Sequence, residues 1–117
     1  MKRIRLILLA LLLVSPLALG GKDGNELLEM CKALIDETDV VKGQTCGGYL
    51  QGIVEAHEAL RGHGLCYRQD HFCLSEEVSS QQLARLAVKY LEANPEKLNI
   101  PVADEVINAF MEAFPCK

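Results

Sequence analysis

"VSSQQLARLAVKYLEANPEK", residues 78–97, is the stretch whose reading decides the fold. Ser79 and Gln82 stand at the spacing of a capping box, in which each side chain accepts the other's backbone N–H. Val78 and Leu83 flank that box as a hydrophobic staple. Leu83, Leu86, Ala87, Tyr90 and Leu91 then follow at helical spacing and give one apolar stripe. Pro95 excludes Asn94 from helical geometry and ends the run. A helix apolar on one side only must bury that side against another element. Period-two alternation is absent from the chain, so the covering elements are predicted to be helices rather than strands.

Downstream, about residues 94–100 separate this helix from the next. The next starts near Pro101, whose fixed φ suits a first turn. Ala103, Val106, Ile107, Phe110 and Phe114 form its stripe, and Pro115 ends it. So short a link predicts antiparallel neighbours. The start of the first helix then lies beside the end of the second. Cys73 precedes the one and Cys116 follows the other, which makes them the natural disulfide pair. In the chain-entropy model, closing that loop stabilises the fold by about 4 kcal/mol.

Upstream, two more helices are predicted. The first runs from about Gly24 to Glu37, with Asp23 and Glu26 at the spacing of a capping pair. Leu27, Leu28, Cys31, Leu34 and Ile35 form its stripe, so Cys31 faces inward. The second runs from about Thr45, a suitable N-cap, to Arg61, with Gly62 as C-cap. Cys46, Tyr49, Ile53, Ala56 and Leu60 make one face. Gly48, Gly52 and Ala56 form a smooth groove beside it. Interior glycines cost a helix about 1 kcal/mol each relative to alanine, and close approach of another backbone is the expected compensation. Cys31 can pair with Cys46, with Cys46–Cys73 as the main competing assignment. Sequence alone does not decide between them. On either scheme Cys66 is the odd cysteine.

The fold class is therefore all-α: a small four-helix domain stapled by disulfides, occupying residues 21–117. The segment before it, MKRIRLILLALLLVSPLALG, has the plan of a cleaved secretory signal peptide over residues 1–20. Lys2, Arg3 and Arg5 form its basic start, Leu6–Val14 its apolar centre, and Ala18 and Gly20 the small residues of a cleavage site. The apolar run is shorter than the roughly 20 residues a spanning helix needs. The leader holds three of the chain's 12 basic residues and none of its 16 acidic ones, so its removal takes the formal net charge from −4 to −7. A domain that acidic, without basic clusters, is not expected to bind nucleic acid or an anionic membrane surface. All five cysteines follow the leader, and in an exported protein most of them should be disulfide-bonded.

One stretch invites a different chemistry. "LRGHGLCYRQDHFC", residues 60–73, together with His57, offers five soft ligands: His57, His63, Cys66, His71 and Cys73. Cys66 and Cys73 lie seven apart, not at the C-x2–4-C spacing of structural zinc sites. Cys73 is also claimed by Cys116, and a cystine sulfur is a poor ligand. No metal and no other cofactor is expected. A Cys–His nucleophile built on Cys66 lacks an oxyanion motif, a nucleophile elbow and an orienting third residue, so no enzyme activity is expected either. What remains is a long link at residues 62–78. Long links in compact domains are usually functional or disordered, and a cysteine at the end of this one favours order. With both signs of charge, two histidines, Tyr67 and Phe72, it has the composition of a protein-binding surface.

With these pieces in order, the chain resembles the Rap/Tai family of immunity proteins, which protect bacteria against peptidoglycan amidase effectors delivered by type VI secretion. The resemblance runs from about Leu27 to Cys116. Leu27-Leu28 with Cys31 is similar to the family's opening, and Cys46-Gly47-Gly48-Tyr49 with Gly52 to its C-x-G-Y-x-x-G segment. Cys73, Val78, Ser79, Gln82 and Leu83 are similar to its C-x-P-x-x-V-[ST]-x-x-Q-L segment. Tyr90-Leu91, Pro95 and Phe114-Pro115-Cys116 complete the pattern. Ser75 replaces its proline, Glu77 stands where glycine is common, and Cys66 is additional. These departures fall in the 62–78 link and bear on which effector is recognised. The four cysteines that match the pattern are Cys31, Cys46, Cys73 and Cys116.

The resemblance implies a helical periplasmic domain of a Gram-negative bacterium, often a homodimer, that binds an amidase effector and occludes its cleft. Within the link, His63, Tyr67, Arg68, Asp70 and His71 are the expected contact residues. A second reading is a small periplasmic stress protein with chaperone-like activity, which would loosen and expose apolar surface near pH 3. A third is a metal or redox module around Cys66.

Overall fold

The computed structural model describes residues 21–64, 72–75 and 77–116. The proposed leader, residues 1–20, lies outside them. Four helices account for most of the described chain: α1 Gly24–Asp36, α2 Val40–Gly62, α3 Ser80–Ala93 and α4 Ala103–Ala113. A 3-10 turn, Pro95–Lys97, follows α3. No strand occurs among the described residues, only two isolated antiparallel bridges, Asp23 with Pro101 and Phe72 with Pro115.

The residues 78–97 behave as their pattern requires. Gln82 N–H donates to Ser79 Oγ at 3.2 Å, and Ser79 N–H donates to Gln82 Oε1 at 2.7 Å. Asn94 leaves the helix with φ −126° and ψ 61°, as a residue before proline must. Leu83, Ala84, Ala87 and Leu91 are buried along one face. At the start of α1, Glu26 N–H donates to Asp23 Oδ1 at 2.9 Å. No return bond from Asp23 N–H to Glu26 is made among the described residues, and the Glu26 carboxylate accepts from Lys22 Nζ at 3.1 Å.

The second helix differs most from expectation. It begins at Val40, five residues before Thr45. Its N-cap is Asp39, which accepts from Lys42 N–H at 3.0 Å. Asp is among the strongest N-caps, whereas the Thr45 hydroxyl donates back to Val41 O at 2.7 Å from inside the helix. The inward face is also turned. Cys46, Leu50 and His57 are buried, while Ala56 and Leu60 face solvent. Gly48 and Gly52 are exposed, with nothing within 4 Å of where a Cβ would stand. The close backbone approach occurs instead at Gly43, where a Cβ would lie 3.1 Å from Leu34 Cα.

Contacts between α1 and α2 run in opposite senses: Leu34 meets Gly43, and Cys31 is bonded to Cys46 with Cα atoms 5.1 Å apart. The pair is therefore an antiparallel hairpin. Its turn is set by Glu37 in the left-handed region (φ 56°) and by Thr38 N–H donating to Ala33 O at 3.2 Å, the long bond of a Schellman turn. α1 packs chiefly on α2 and α3, and α3 on α4. Leu27, Leu50, Leu91, Val106 and Phe110 meet in one core with the Cys31–Cys46 bond.

The helix-three-to-four link also clasps the start of α1. Asn25 N–H donates to Leu98 O at 3.0 Å, Asn25 Nδ2 reaches Asn99 Oδ1 at 2.9 Å, and Val102 N–H donates to Lys22 O at 3.0 Å. Pro101 takes part in the bridge to Asp23 rather than in the first turn of α4, which begins two residues later. Gly24 sits beneath this clasp, and a Cβ there would lie 2.8 Å from Leu98 Cα.

Candidate partner-binding site

The sequence places its candidate contact residues in the 62–78 link, and the structure fixes both roots of that link. The upstream root is the last turns of α2. His63 N–H donates to Ala59 O at 3.2 Å and Gly64 N–H to Arg61 O at 3.0 Å, closing the helix. Gly64 takes φ 68°, a left-handed conformation that glycine adopts without steric cost. The downstream root is Phe72-Cys73. Phe72 is wholly buried, with its ring stacked on His57 at 3.9 Å between centroids and edge-on to Phe110 at 5.4 Å. Cys73 N–H donates to Phe114 O at 2.8 Å, and Cys73 is bonded to Cys116 with Cα atoms 5.0 Å apart.

The two roots are tied to one another. Arg61, from α2, donates from Nη1 to Cys73 Sγ at 3.4 Å and from Nη2 to Glu58 at 2.8 Å. Between them lies a groove of about 400 Å³. Gln51, Val54, Glu58 and Arg61 line it on α2, and Leu74 and Val78 on the segment leading into α3. Its lining is mixed, apolar at Val54, Leu74 and Val78 and charged or amide-bearing at Gln51, Glu58 and Arg61. Such a surface can hold a partner by hydrogen bonds and charge pairing around an apolar contact.

Of the contact residues expected from sequence, His63 is exposed at the helix end. Tyr67, Arg68, Asp70 and His71 lie outside the described residues, as does the odd cysteine, Cys66. His57, counted among the soft ligands, is buried and stacked on Phe72 at the downstream root of the link. Cys73 is in a disulfide, so its sulfur is not a thiolate ligand. Among the described residues no three His, Cys, Asp or Glu side chains group as a metal site.

Arg61, Glu58 and the His57–Phe72 stack were not singled out from the sequence. Two signals could have found the stack. Cys46, Leu50 and His57 recur at i, i+4 and i+11, which puts the histidine on the buried face. Phe72 is also a large apolar residue directly before a bonded cysteine, where the chain is held close to the end of α4.

A family model of Rap1a immunity proteins matches residues 23–116. No curated protein and no solved structure matches the chain. No described helix is long and apolar enough to cross a membrane. The family match takes in all four helices, both disulfides and the whole of the link between α2 and α3. This protein belongs to the Rap1a immunity protein family.

Proposed function

We propose that the protein is a periplasmic immunity protein, without catalytic activity, that binds a peptidoglycan amidase effector of type VI secretion and blocks its cleft. The family match over residues 23–116 carries this reading. The construction of the link supports it. A segment that must fill another protein's cleft gains affinity when it is preorganised, because less entropy is lost on binding. Here both ends are held, by a helix end on one side and by a buried ring plus a disulfide on the other. His63, Tyr67, Arg68, Asp70 and His71 would supply the contacts, with Glu58 and Arg61 in the groove. An acidic domain also attracts a basic partner over long range. The homodimer that the family resemblance implies belongs to the same proposal.

The test is co-purification with amidase-like effectors encoded beside the gene, paired with survival of cells that express such an effector in the periplasm. A complex and protection are expected. Truncating a central contact such as Tyr67→Ala should weaken binding by about 2 kcal/mol or more, the usual loss at a hot spot. Absence of both binding and protection with every such amidase would overturn the assignment.

A further inference from the structure

The two disulfides are built for different chemical lives. Cys31 and Cys46 are 0% exposed and sit among Leu27, Leu50 and Leu91 in the core. Cys73 and Cys116 are both exposed. They join two short extended segments that pair only as an isolated bridge among the described residues, Phe72 with Pro115, with Cys73 N–H donating to Phe114 O. A guanidinium nitrogen of Arg61 stands 3.4 Å from Cys73 Sγ. It is the donor that would stabilise a thiolate leaving that position, since a nearby cation lowers a thiol's pKa and a better leaving thiolate departs faster. Glu58 holds the other end of the guanidinium and so fixes its direction.

We propose that Cys73–Cys116 is a thiol–disulfide exchange site for a dithiol, and that Cys31–Cys46 is a structural bond closed to the same reagent. A dithiol thiolate attacks Cys116 Sγ and forms a mixed disulfide there. The bond to Cys73 breaks, and Cys73 leaves as a thiolate beside Arg61. The second thiol of the reagent, once deprotonated, attacks the reagent's own sulfur in the mixed disulfide. Cys116 leaves as a thiolate that takes a proton from solvent. The reagent departs as a cyclic or intramolecular disulfide, oxidised by two electrons, and the protein pair is reduced by two. Phe72 keeps its contacts with His57 and Phe110, so the fold survives. The covalent tie between the downstream root of the link and the end of α4 does not. The exchange thus loosens the root of the proposed contact surface without dismantling the core. It is a property of the bond whether or not an amidase is the partner.

Differential alkylation tests this on the full exported chain. Free thiols are first blocked with iodoacetamide. Dithiothreitol is then added without denaturant, newly exposed thiols are trapped with N-ethylmaleimide, and peptides are mapped by mass. Cys73 and Cys116 should be labelled together, about 100-fold faster than Cys31 and Cys46, because a buried bond reacts only through opening of the structure. The far-ultraviolet circular dichroism should hold while they react. Arg61→Gln, on an exposed side chain, should slow labelling of Cys73 and Cys116 by about threefold to tenfold through the poorer leaving group, and leave the other pair unchanged. Equal rates for the two bonds, earlier loss of Cys31–Cys46, or collapse of helicity as Cys73 and Cys116 appear would each overturn the proposal. An unchanged rate in Arg61→Gln would remove Arg61 from it.

Discussion

Glycines show most directly how a single residue is read by its surroundings. Gly24 and Gly43 lie where a Cβ would press on a neighbouring backbone, at 2.8 Å from Leu98 Cα and 3.1 Å from Leu34 Cα. Gly48 and Gly52 lie in the exposed middle of α2 with no neighbour within 4 Å. Only the backbone freedom of the last two counts against the helix. Gly24→Ala should therefore cost about 1–3 kcal/mol, the usual range for overpacking. Gly48→Ala and Gly52→Ala should each stabilise by up to about 1 kcal/mol. Urea unfolding followed by circular dichroism measures all three, and a stabilised Gly24→Ala would show that the Leu98 clasp is soft. Sequence reading assigned the close approach to the wrong pair. Glycine spacing shows where side chains are missing, but only the packing shows which gap another chain segment fills.

The helices themselves were legible to the degree that their boundaries are written in side-chain chemistry. α3 carries a complete capping box and a terminating proline, and it forms as its sequence requires. α2 carries polar candidates at both Asp39 and Thr45, and its apolar residues are spread around the helix. Its start and its inward face thus depend on what α1 and Phe72 present to it. Between elements, the Tyr90–Lys97–Glu105 cluster joins α3, the 3-10 turn and α4. Tyr90 Oη donates to Glu105 Oε2 at 3.0 Å and Lys97 Nζ donates to the same oxygen at 2.9 Å. No motif announces this cluster, because a tyrosine, a lysine and a glutamate seven and eight residues apart also occur on solvated faces. Burial alone would raise the Glu105 pKa. The bonds from Lys97 and Tyr90 more than offset it, so the carboxyl is held below its ordinary range, and Lys97 is raised by the same contact. A carboxyl depressed in the folded state gives stability that is present above its unfolded pKa of about 4.3 and is lost as pH falls through the lower folded value. Thermal melts from pH 6 down to pH 3 should show the native chain losing this increment. Glu105→Gln should be less stable by about 1 kcal/mol at pH 6, the worth of a hydrogen bond to a charged group less what the amide recovers. The gap between the two should close toward pH 3. A gap that stays constant with pH would assign the effect to packing.

At the scale of the molecule, the two cross-links divide the chain into a hairpin, α1–α2, bonded near its turn, and a second unit, α3–α4, bonded across its two ends. The cysteine spacing and the short links make this plan readable from sequence. The competing Cys46–Cys73 pairing is excluded only by the three-dimensional placement of Cys31 against Cys46. The contribution of each bond to stability is a contest between loop length and burial. Sequence separations of 43 and 15 correspond, in the chain-entropy model, to about 4 and 3 kcal/mol. Length alone therefore makes Cys73–Cys116 the more stabilising bond. Burial reverses the order, because replacing Cys31 and Cys46 by alanine also empties space in the core, at about 1–2 kcal/mol for each lost buried sulfur by analogy with buried methylenes. The exposed pair leaves no cavity. Cys31→Ala/Cys46→Ala should consequently lose about 1–3 kcal/mol more than Cys73→Ala/Cys116→Ala. Both double variants should show a steeper urea dependence, since each frees the denatured chain to expose more surface. If the exposed pair proves the costlier to remove, loop closure outweighs the core. The region from Phe72 to Cys116 would then hold together mainly through its bond, and reduction of that bond would unfold α3 and α4 rather than merely release the root of the link.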